Sequence, residues 1–375
     1  MKKIVLIIDD LNVGGAQTHV LRLVSALKIK DMTLEIVCLG SSGKIAHKIN
    51  KLNSKVKISS VEMDSVWKFN FWAGFFKLIS LLKKEKPLAV FTYLNTANVF
   101  GVIASKISSV PIIVSSRRDM GHFRTKFIGF LEKIINPYVD KVICVSDAVK
   151  QKVISSEEID SQKVCIVYNG IDADKFVGLK PETNQQKKIF KVGMVAAMNR
   201  EMKGHRYFIK AAEKVIEKRQ DVCFVLVGDG PLKQGLESYA AEKNITEYFN
   251  FAGMRDDVRE IMKEFDIFVM PSLSEGFSNA ILEAMAMGVA VIATGIEGNL
   301  EIIDKDCGYF VRPADSEAIA EKILLMLENP DEIVAKGLNA RKRVLNNFTI
   351  DIMGQKYERL ISELSKRKGL INERV

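Results

Sequence analysis

DIFVMPSLSEGFSNAILEAMAMGVAVIAT (266–294) contains two strand-like apolar runs separated by a helix-like segment. Its runs DIFVM and VAVIAT are nearly continuous in apolar residues, which is typical of parallel strands that are covered on both faces. The same alternation continues towards both ends of the chain. We therefore predict two doubly wound, Rossmann-like α/β domains with parallel sheets. The first half contributes the runs KIVLIID, LEIVCLG, LAVFTYL, PIIVSS, KVICVS and KVCIVYN, and the second half contributes KVGMVA, VCFVLVG, YFNFAG, DIFVMPS and VAVIAT.

The domain boundary is predicted from one polar segment. A chain of 375 residues is too long for a single ordinary core, and VGLKPETNQQKK (177–188) has no apolar period and contains a proline. We expect domains over 1–180 and 181–349, followed by a C-terminal segment over 350–375. In that segment we predict a helix from about Ile350 to Arg367, and its apolar stripe must pack against another part of the protein. The stripe consists of Met353, Tyr357, Leu360, Ile361 and Leu364.

Composition indicates a globular protein with reduced thiols. No apolar run reaches the roughly 18 residues that span a bilayer, and the run Ile4 to Ile8 is too short for a signal peptide and suits a buried first strand. The five cysteines form no CxxC pair and the four histidines form no metal-binding cluster. We expect a cytoplasmic protein without a built-in metal site.

Positive charge is concentrated in the first half of the chain. Residues 1–180 carry a net charge of +11, whereas the remainder carries −2. Such a surface attracts nucleic acid, an anionic membrane face or an anionic substrate, or it is simply a solvated lysine-rich surface. Nucleic acid is not expected as a partner, because aromatic platforms and known binding modules are absent. The stretch SVWKFNFWAGFFKLISLLKKEK (65–86) mixes aromatic residues with lysines, which suits either a peripheral position on an anionic membrane or a core helix with a lysine-rich outer face.

The segment 271–294 also carries the strongest chemical signal. A strand ends at Pro271, Glu275 lies in the following loop, and a helix is expected to begin near Phe277. The free N–H groups and the positive dipole end of a helix start suit a diphosphate, and Glu283 lies where it could grip ribose hydroxyls. A capped helix with two solvent-facing acids is the alternative. The donor-binding candidates here are Gly276, Phe277, Ser278, Asn279 and Glu283.

Glu275 and Glu283 match the E-x7-E segment of the family 4 retaining glycosyltransferases, which have the GT-B fold, and the chain resembles this family over most of its length. The resemblance implies two domains facing across a cleft, with the C-terminal helix crossing back to the first domain. It also implies that Glu275 contacts the donor sugar, that Glu283 binds the ribose, and that backbone around Met254 meets the base. Four further segments follow in the family's order: VYNGID (167–172), LVGDGPL (226–232), FAGMRDDV (251–258) and GYFVRPAD (308–315).

Cations for the donor diphosphate are expected in KVGMVAAMNREMKGHRYFIKAAE (191–213). Lys203 and Gly204 match the family's KG turn, where the lysine meets the diphosphate and neutralises the leaving group. Arg200 is a candidate second cation. Many relatives have an arginine five residues before the lysine, where this chain has Met198. A surface KG cap without a ligand is the alternative interpretation.

Two segments of the first domain are further candidates. In LNVGGAQTHV (11–20), Gly15 is assigned to the donor and Gly14 to phosphate or acceptor, although a plain tight turn explains the pair equally well. SSRRDMGH (115–122) stands where many relatives have a His–Asp pair. Arg117, Arg118 and His122 are candidates for binding donor phosphate or an anionic acceptor, or they are solvated surface residues.

The resemblance implies a retaining, metal-independent hexosyltransferase. No cofactor is expected, and the co-substrate is a nucleotide-diphosphate sugar, for which we favour a UDP-sugar. A sugar or lipid-linked hydroxyl would be the acceptor, in the synthesis of cell-surface polysaccharide or glycolipid. Met198 and the missing His–Asp pair keep open a non-catalytic nucleotide-sugar-binding subunit, and a nucleotide-sugar epimerase of the same fold is the other alternative.

Overall fold

The computed structural model of the protein describes residues 2–27, 32–63, 69–121, 124–176 and 189–370. Within them the chain divides into two compact units. Unit 1 comprises Met1–Gly170 and Ile350–Val375, and unit 2 comprises Ile171–Thr349. The boundary that we predicted after residue 180 lies outside the described residues.

Unit 1 has a seven-stranded parallel sheet, in the order β3-β2-β1-β4-β5-β6-β7. Its strands are β1 (Lys2–Ile8), β2 (Met32–Cys38), β3 (Lys57–Ser60), β4 (Ala89–Tyr93), β5 (Ile112–Arg117), β6 (Lys141–Cys144) and β7 (Val164–Ile166). Its helices up to residue 170 are α1 (Gly15–Ala26), α2 (Gly43–Leu52), α3 (Phe69–Glu85), α4 (Val102–Ile107), α5 (Lys126–Ile135) and α6 (Asp147–Glu157), together with a π turn (Ala97–Gly101) and 3-10 turns (Asn136–Tyr138, Ser161–Lys163).

Unit 2 repeats this arrangement with six parallel strands, in the order β10-β9-β8-β11-β12-β13. Its strands are β8 (Phe190–Val195), β9 (Val222–Val227), β10 (Phe249–Gly253), β11 (Ile267–Met270), β12 (Ala290–Thr294) and β13 (Gly308–Val311). Its helices are α7 (His205–Ile216), α8 (Lys233–Glu242), α9 (Val258–Lys263), α10 (Asn279–Ala286), α11 (Glu297–Ile302), α12 (Ser316–Glu328) and α13 (Pro330–Asn347), with 3-10 turns at Ala173–Phe176, Glu201–Lys203 and Thr246–Tyr248.

In both sheets the strand order reverses beside the first strand, between β1 and β4 and between β8 and β11. Ligands of doubly wound sheets bind in the crevice at this reversal, outside the carboxyl ends of the strands. The fold therefore designates one position in each unit where functional side chains should converge.

The C-terminal helix α14 (Ile350–Arg367) has the bounds that the sequence predicts, and it packs on α1 in unit 1. All five residues of its apolar stripe are buried in the core of that unit. Gly354 permits the close approach, since a Cβ there would lie 2.7 Å from the carbonyl oxygen of Ala26. None of the helices in the described ranges has the length and apolarity needed to cross a bilayer.

Of the thirteen strands in the described residues, β13 lies in the family segment GYFVRPAD (308–315) and not in one of the predicted apolar runs, and β3 was missed from the sequence. β3 has only four residues, and its backbone lies at the edge of the sheet with its side chains half-buried or exposed. Such a strand needs no continuous apolar run, so its sequence KISS carries no signal of the kind that identified its neighbours.

Candidate functional site

The predicted donor residues of unit 2 converge at the reversal of its strand order. Lys203 ends the short turn that follows β8, and Glu275 lies in the loop that follows β11. Because β8 and β11 are adjacent parallel strands, their carboxyl ends meet at the same edge of the sheet. Two residues 72 positions apart in the sequence are thereby brought into contact.

Lys203 and Glu275 form an ion pair. The Lys203 ammonium donates to Glu275 Oε1 over 2.7 Å, and the Ser272 hydroxyl donates to the same oxygen over 3.0 Å. Ser272 is itself fixed, since the Thr294 hydroxyl donates to its carbonyl oxygen over 2.6 Å. The Glu275 side chain is 10% exposed and that of Lys203 32%. Polar contacts thus hold the buried side of the ion pair in place, and the exposed part of Lys203 leaves the pair open to a ligand.

Two glycines make this pairing possible. Gly204 has a φ of 77°, and a Cβ there would lie 2.0 Å from the carbonyl oxygen of Pro271. The Leu273 N–H donates to the Met202 carbonyl over 2.8 Å, so the lysine turn and the glutamate loop are joined through their main chains. On the other side, a Cβ at Gly298 would lie 2.5 Å from the carbonyl oxygens of both Glu275 and Gly276. The loop carrying Glu275 is held between these two close approaches.

The helix after this loop begins at Asn279, two residues later than we predicted. Ser278 caps it, with its hydroxyl accepting from the Ile281 N–H over 3.4 Å. Phe277 is buried and its ring packs edge-on against Phe348, so only its main chain is suited to meet a ligand. Glu283 is half-buried and lies just over one turn into α10.

The departure from the family pattern at Met198 has a structural explanation. Met198 is fully buried in the core of unit 2, and its N–H donates to the Asp229 carbonyl over 2.9 Å. It therefore replaces an arginine without supplying another polar group. Arg200, by contrast, is exposed and immediately precedes the turn that ends in Lys203.

Met254 is 70% exposed and follows the edge strand β10. Three strand spacings, about 14 Å, separate β10 from β11. The candidates Met254, Lys203 and Glu275 consequently lie in this order along the carboxyl edge of one sheet. That order is the one in which the base, the diphosphate and the sugar of a donor follow each other.

His205, which sequence reasoning missed, adjoins this site. It is 1% exposed at the first position of α7, and burial, with a contribution from the Lys203 charge, lowers its pKa to about 4. The ring is therefore neutral at neutral pH and adds no charge beside Lys203.

In unit 1 the two glycines of 11–20 lie at the carboxyl end of β1. Gly15 is the first residue of α1, and Gly14 precedes it in extended backbone. Asp10 fixes this loop, since its Oδ1 accepts from the Asn12 N–H over 2.7 Å and from the Gln17 amide over 3.2 Å. The loop is positioned as predicted for a helix start, and its ligand stays a prediction.

The Arg117 guanidinium is held in an ion-pair network. It is buried, and it donates from two nitrogens to the two oxygens of Glu157, each over 2.9 Å. Arg124 joins the same network by donating to Glu132 over 2.7 Å and to Glu157 over 2.5 Å. Two arginines and two glutamates thus form one ion-pair network inside unit 1. The Arg117 guanidinium is engaged within the protein, and phosphate binding by Arg117 stays a prediction.

The Arg118 side chain lies outside this ion-pair network, beside a different buried cluster. Its Nη2 donates to Asn169 Oδ1, while its Nη1 is buried with no hydrogen-bond partner among the described residues. Behind it lies a buried cluster in which His19 Nε2 and the Tyr357 hydroxyl are 2.9 Å apart and the Tyr93 hydroxyl donates to Tyr357 over 3.3 Å. Burial, with the Arg118 charge next in effect, keeps the pKa of His19 well below its usual value. The cluster was invisible in the sequence, because its members come from α1, β4 and α14.

A pocket of about 130 Å³ lies beside Arg118 at the carboxyl edge of unit 1. Asp9 and Asn98 line it from the ends of β1 and β4, and Arg118 lines it from the end of β5. His122, the remaining candidate of this segment, lies outside the described residues. Among the residues that the structure describes, no group of three His, Cys, Asp or Glu side chains could hold a metal ion.

Two family models match consecutive parts of the chain. The model Glycosyltransferase Family 4 matches residues 13–175, and the model Glycosyl transferases group 1 matches residues 189–329. Together they span about four-fifths of the sequence. The chain belongs to the family 4 glycosyltransferases. The predicted family is therefore confirmed.

Individual relatives of this glycosyltransferase are similar over most of their length. UDP-Gal:alpha-D-GlcNAc-diphosphoundecaprenol alpha-1,3-galactosyltransferase of Escherichia coli is 29% identical over 73% of this chain and 74% of its own. Capsular polysaccharide biosynthesis glycosyltransferase CapM of Staphylococcus aureus is 27% identical over 77% of this chain and 80% of its own. The crystal structure of Anabaena Alr3699/HepE in complex with UDP superposes with a TM-score of 0.83 and 20% identity, covering 97% of this chain and all of HepE. The predicted class of two parallel-sheet α/β domains of the GT-B type is confirmed with it.

Proposed function

We propose that this glycosyltransferase moves a sugar, with retention of anomeric configuration, from a UDP-sugar to a hydroxyl of a saccharide carried on a lipid diphosphate. The contact between Lys203 and Glu275 at the start of α10 carries the proposal. It places a cation, a carboxylate and the positive end of a helix dipole within one loop pair. The relatives named for galactosyl transfer to a diphosphoundecaprenol-linked sugar and for capsular polysaccharide biosynthesis support the acceptor class and a role in cell-surface polysaccharide or glycolipid synthesis.

In this mechanism the acceptor hydroxyl attacks the anomeric carbon on the face that the nucleotide leaves. The departing diphosphate takes the proton from that hydroxyl. Lys203 and Arg200, with the N–H groups of α10, stabilise the negative charge that develops on the diphosphate. Glu275 orients the donor sugar and keeps the Lys203 ammonium in place, and Glu283 holds the ribose. Because these groups supply the positive charge, metal independence forms part of the proposal.

We further propose that unit 1 docks on an anionic membrane surface. The exposed apolar residues of α3 follow the helical spacing i, i+3, i+7, and α5 carries a second row of the same spacing. Both helices pack against the segment 97–107, so the two rows belong to one helical layer. The rows are Phe69, Trp72 and Phe76 on α3, and Phe127, Phe130 and Ile134 on α5.

Lysines flank both rows, with Lys77, Lys83 and Lys84 on α3 and Lys126 and Lys133 on α5. Aromatic side chains beside exposed lysines suit the headgroup region of an anionic membrane. Phe71 and Phe75, which we had counted among the membrane-facing aromatics, are instead buried against Phe100. Trp67 and Lys68 lie outside the described residues.

The test is a screen of UDP and UDP-sugars by thermal shift, followed by transfer assays with short-chain lipid-diphosphate saccharides. A donor at about 100 times its Kd should stabilise the protein by roughly 2.7 kcal/mol. Turnover of one donor–acceptor pair with retained configuration supports the proposal. Binding of UDP without any transfer or donor hydrolysis would favour the non-catalytic subunit instead.

A further inference from the structure

One carboxylate at the strand reversal of unit 1 has no role in the mechanism above. Ile8 and Tyr93 are paired in the register of β1 and β4, so the residues that follow them, Asp9 and Leu94, start the crevice of that sheet. Asp9 lines the pocket of about 130 Å³ at this point. Asp9 therefore lies at the strand reversal of unit 1, just as Lys203 and Glu275 lie at the strand reversal of unit 2.

Asp9 is bound to the main chain of the segment that follows β4. Its Oδ1 accepts from the Ala97 N–H over 2.6 Å and its Oδ2 accepts from the Thr96 N–H over 3.2 Å. Burial nevertheless raises the pKa of Asp9 to about 6, because the hydrogen bonds do not offset the loss of hydration. The two main-chain contacts of Asp9 therefore offset only part of the cost of burying its charge.

The backbone around the pocket is irregular as well. Leu94 has a φ of 73°, a left-handed conformation that bulky side chains rarely adopt. The helix after it contains the π turn Ala97–Gly101, whose Asn98 side chain lines the pocket. Unfavourable conformations and π turns concentrate at functional sites, where the surrounding structure maintains them.

Arg118 also lines this pocket, and its guanidinium includes a donor that lacks a partner among the described residues. The buried Nη1 of this guanidinium donates to no other atom of these residues. A buried N–H without an acceptor is costly unless a ligand supplies one. The pocket thus offers a carboxylate that accepts and a guanidinium that donates, which together complement a sugar hydroxyl or a pair of neighbouring hydroxyls.

The geometry points to Asp9 as an acceptor-binding residue, whose carboxylate accepts a hydrogen bond from a hydroxyl of the acceptor sugar while Arg118 donates to the same sugar. This inference rests on the proposed glycosyl transfer and adds to it the side chains that hold the acceptor. It assigns unit 1 a specific polar contact with the acceptor, beyond the membrane contact of α3 and α5.

The test is Asp9→Asn, assayed with the donor–acceptor pair that the wild type turns over fastest. Asn has the same shape but keeps only one of the two oxygens that accept main-chain N–H groups, so we expect the melting temperature to fall modestly while UDP binding is retained. The KM for the acceptor should increase at least tenfold. UDP affinity and the slow hydrolysis of donor without acceptor should stay within twofold of wild type, since both depend on unit 2.

Arg118→Gln approaches the same pocket from the other side and should raise the same KM, with an effect that is less than additive in the double variant. Asp140→Asn is the matched control. Asp140 is another half-buried carboxylate that accepts a main-chain N–H, from Ile113 over 2.8 Å, and it precedes β6 at the opposite edge of the sheet. This control should leave every kinetic constant unchanged.

An acceptor KM within twofold of wild type in Asp9→Asn overturns the assignment and leaves the proposed transfer intact. A melting temperature that falls together with UDP binding also overturns it, because Asp9 would then serve the fold. Should the wild type itself neither bind UDP nor transfer a sugar, the proposed function fails, and the role of Asp9 fails with it.

Discussion

The two units have the same strand order and present different chemistry at the same edge. In unit 2 the contacts of the proposed site come from two short segments, 200–204 and 271–283, which are joined by main-chain bonds and by glycines that admit no side chain. In unit 1 the polar groups come from residues spread between positions 9 and 357, and most of them are buried in networks. In unit 2, main-chain contacts hold an ion pair that a ligand can reach. In unit 1, buried ion pairs hold the main chain in place.

This contrast predicts opposite responses to losing a charge. In unit 1, Glu157→Gln removes one carboxylate from two buried arginines and should lower the free energy of unfolding by about 3–5 kcal/mol. Burial tends to raise the pKa of Glu157, but Arg117 and Arg124 hold it below its usual value. Its contribution is consequently present above the unfolded pKa and lost as the pH falls, so the difference between variant and wild type should shrink in acid.

Urea unfolding at several pH values measures this effect. Glu158→Gln is the control, because the neighbouring Glu158 is 74% exposed and pairs with Lys133 at the surface, where such a pair contributes at most about 1 kcal/mol. Equal losses in the two variants would contradict a buried network as the stabilising element of unit 1.

In unit 2, Glu275→Ala should leave stability nearly unchanged and reduce transfer at least 100-fold, which corresponds to about 2.7 kcal/mol in the activation barrier. The carboxylate lies in a loop whose position is set by main-chain contacts, so its removal deletes a ligand contact. Steady-state kinetics beside a thermal melt separate the two effects. Glu264→Ala removes an exposed acid that pairs with Lys191 in the same unit and serves as the control. A kcat above about a tenth of wild type would exclude Glu275 from contact with the donor sugar.

Lys203→Ala tests whether positive charge at this edge comes from the protein. We expect UDP to bind about tenfold more weakly, or about 1.4 kcal/mol, as measured by calorimetry, with Lys191→Ala as the control. Wild-type transfer should change little on addition of EDTA or Mg²⁺. Activity that disappears in EDTA and returns with metal would refute the metal-independent mechanism.

The smallest effect concerns the surface of unit 1. Each exposed lysine near an anionic membrane adds about 1 kcal/mol to binding, so wild type should co-sediment with anionic vesicles at low salt and much less at high salt or with neutral lipid. Replacing Phe69 and Phe76 by Ser should weaken sedimentation several-fold. Leu338→Ser, which removes an exposed apolar residue of unit 2, should not. Wild type that stays in the supernatant with anionic vesicles would rule out the docking surface.

The same contrast explains what could be predicted from the sequence. Lys203, Glu275 and Glu283 stand in contiguous motifs, and local turns and a helix start determine where they lie. Arg117 and Arg118 are adjacent and chemically identical, and both line the pocket, yet Arg117 pairs with Glu157 whereas Arg118 donates to Asn169. That distinction depends on Glu132, Glu157 and Asn169, whose proximity only the packed sheet and helices determine. Asp9 was noticed only as the end of a strand, because its neighbours are supplied by the residues after β4.

The packing of α14 has a consequence for how the chain folds as it is synthesised. Unit 2 is continuous in the sequence, whereas unit 1 needs residues near both ends of the chain. During translation, the first 170 residues emerge without α14, the helix that covers α1. The contact between His19 and Tyr357 can form only after unit 2 has been synthesised. The nascent amino-terminal half therefore exposes an apolar face for the time that about 190 further residues take to appear, at about 5–20 residues per second. This half of the protein is the one that should depend on chaperones, and unit 2 is the one that should fold unaided.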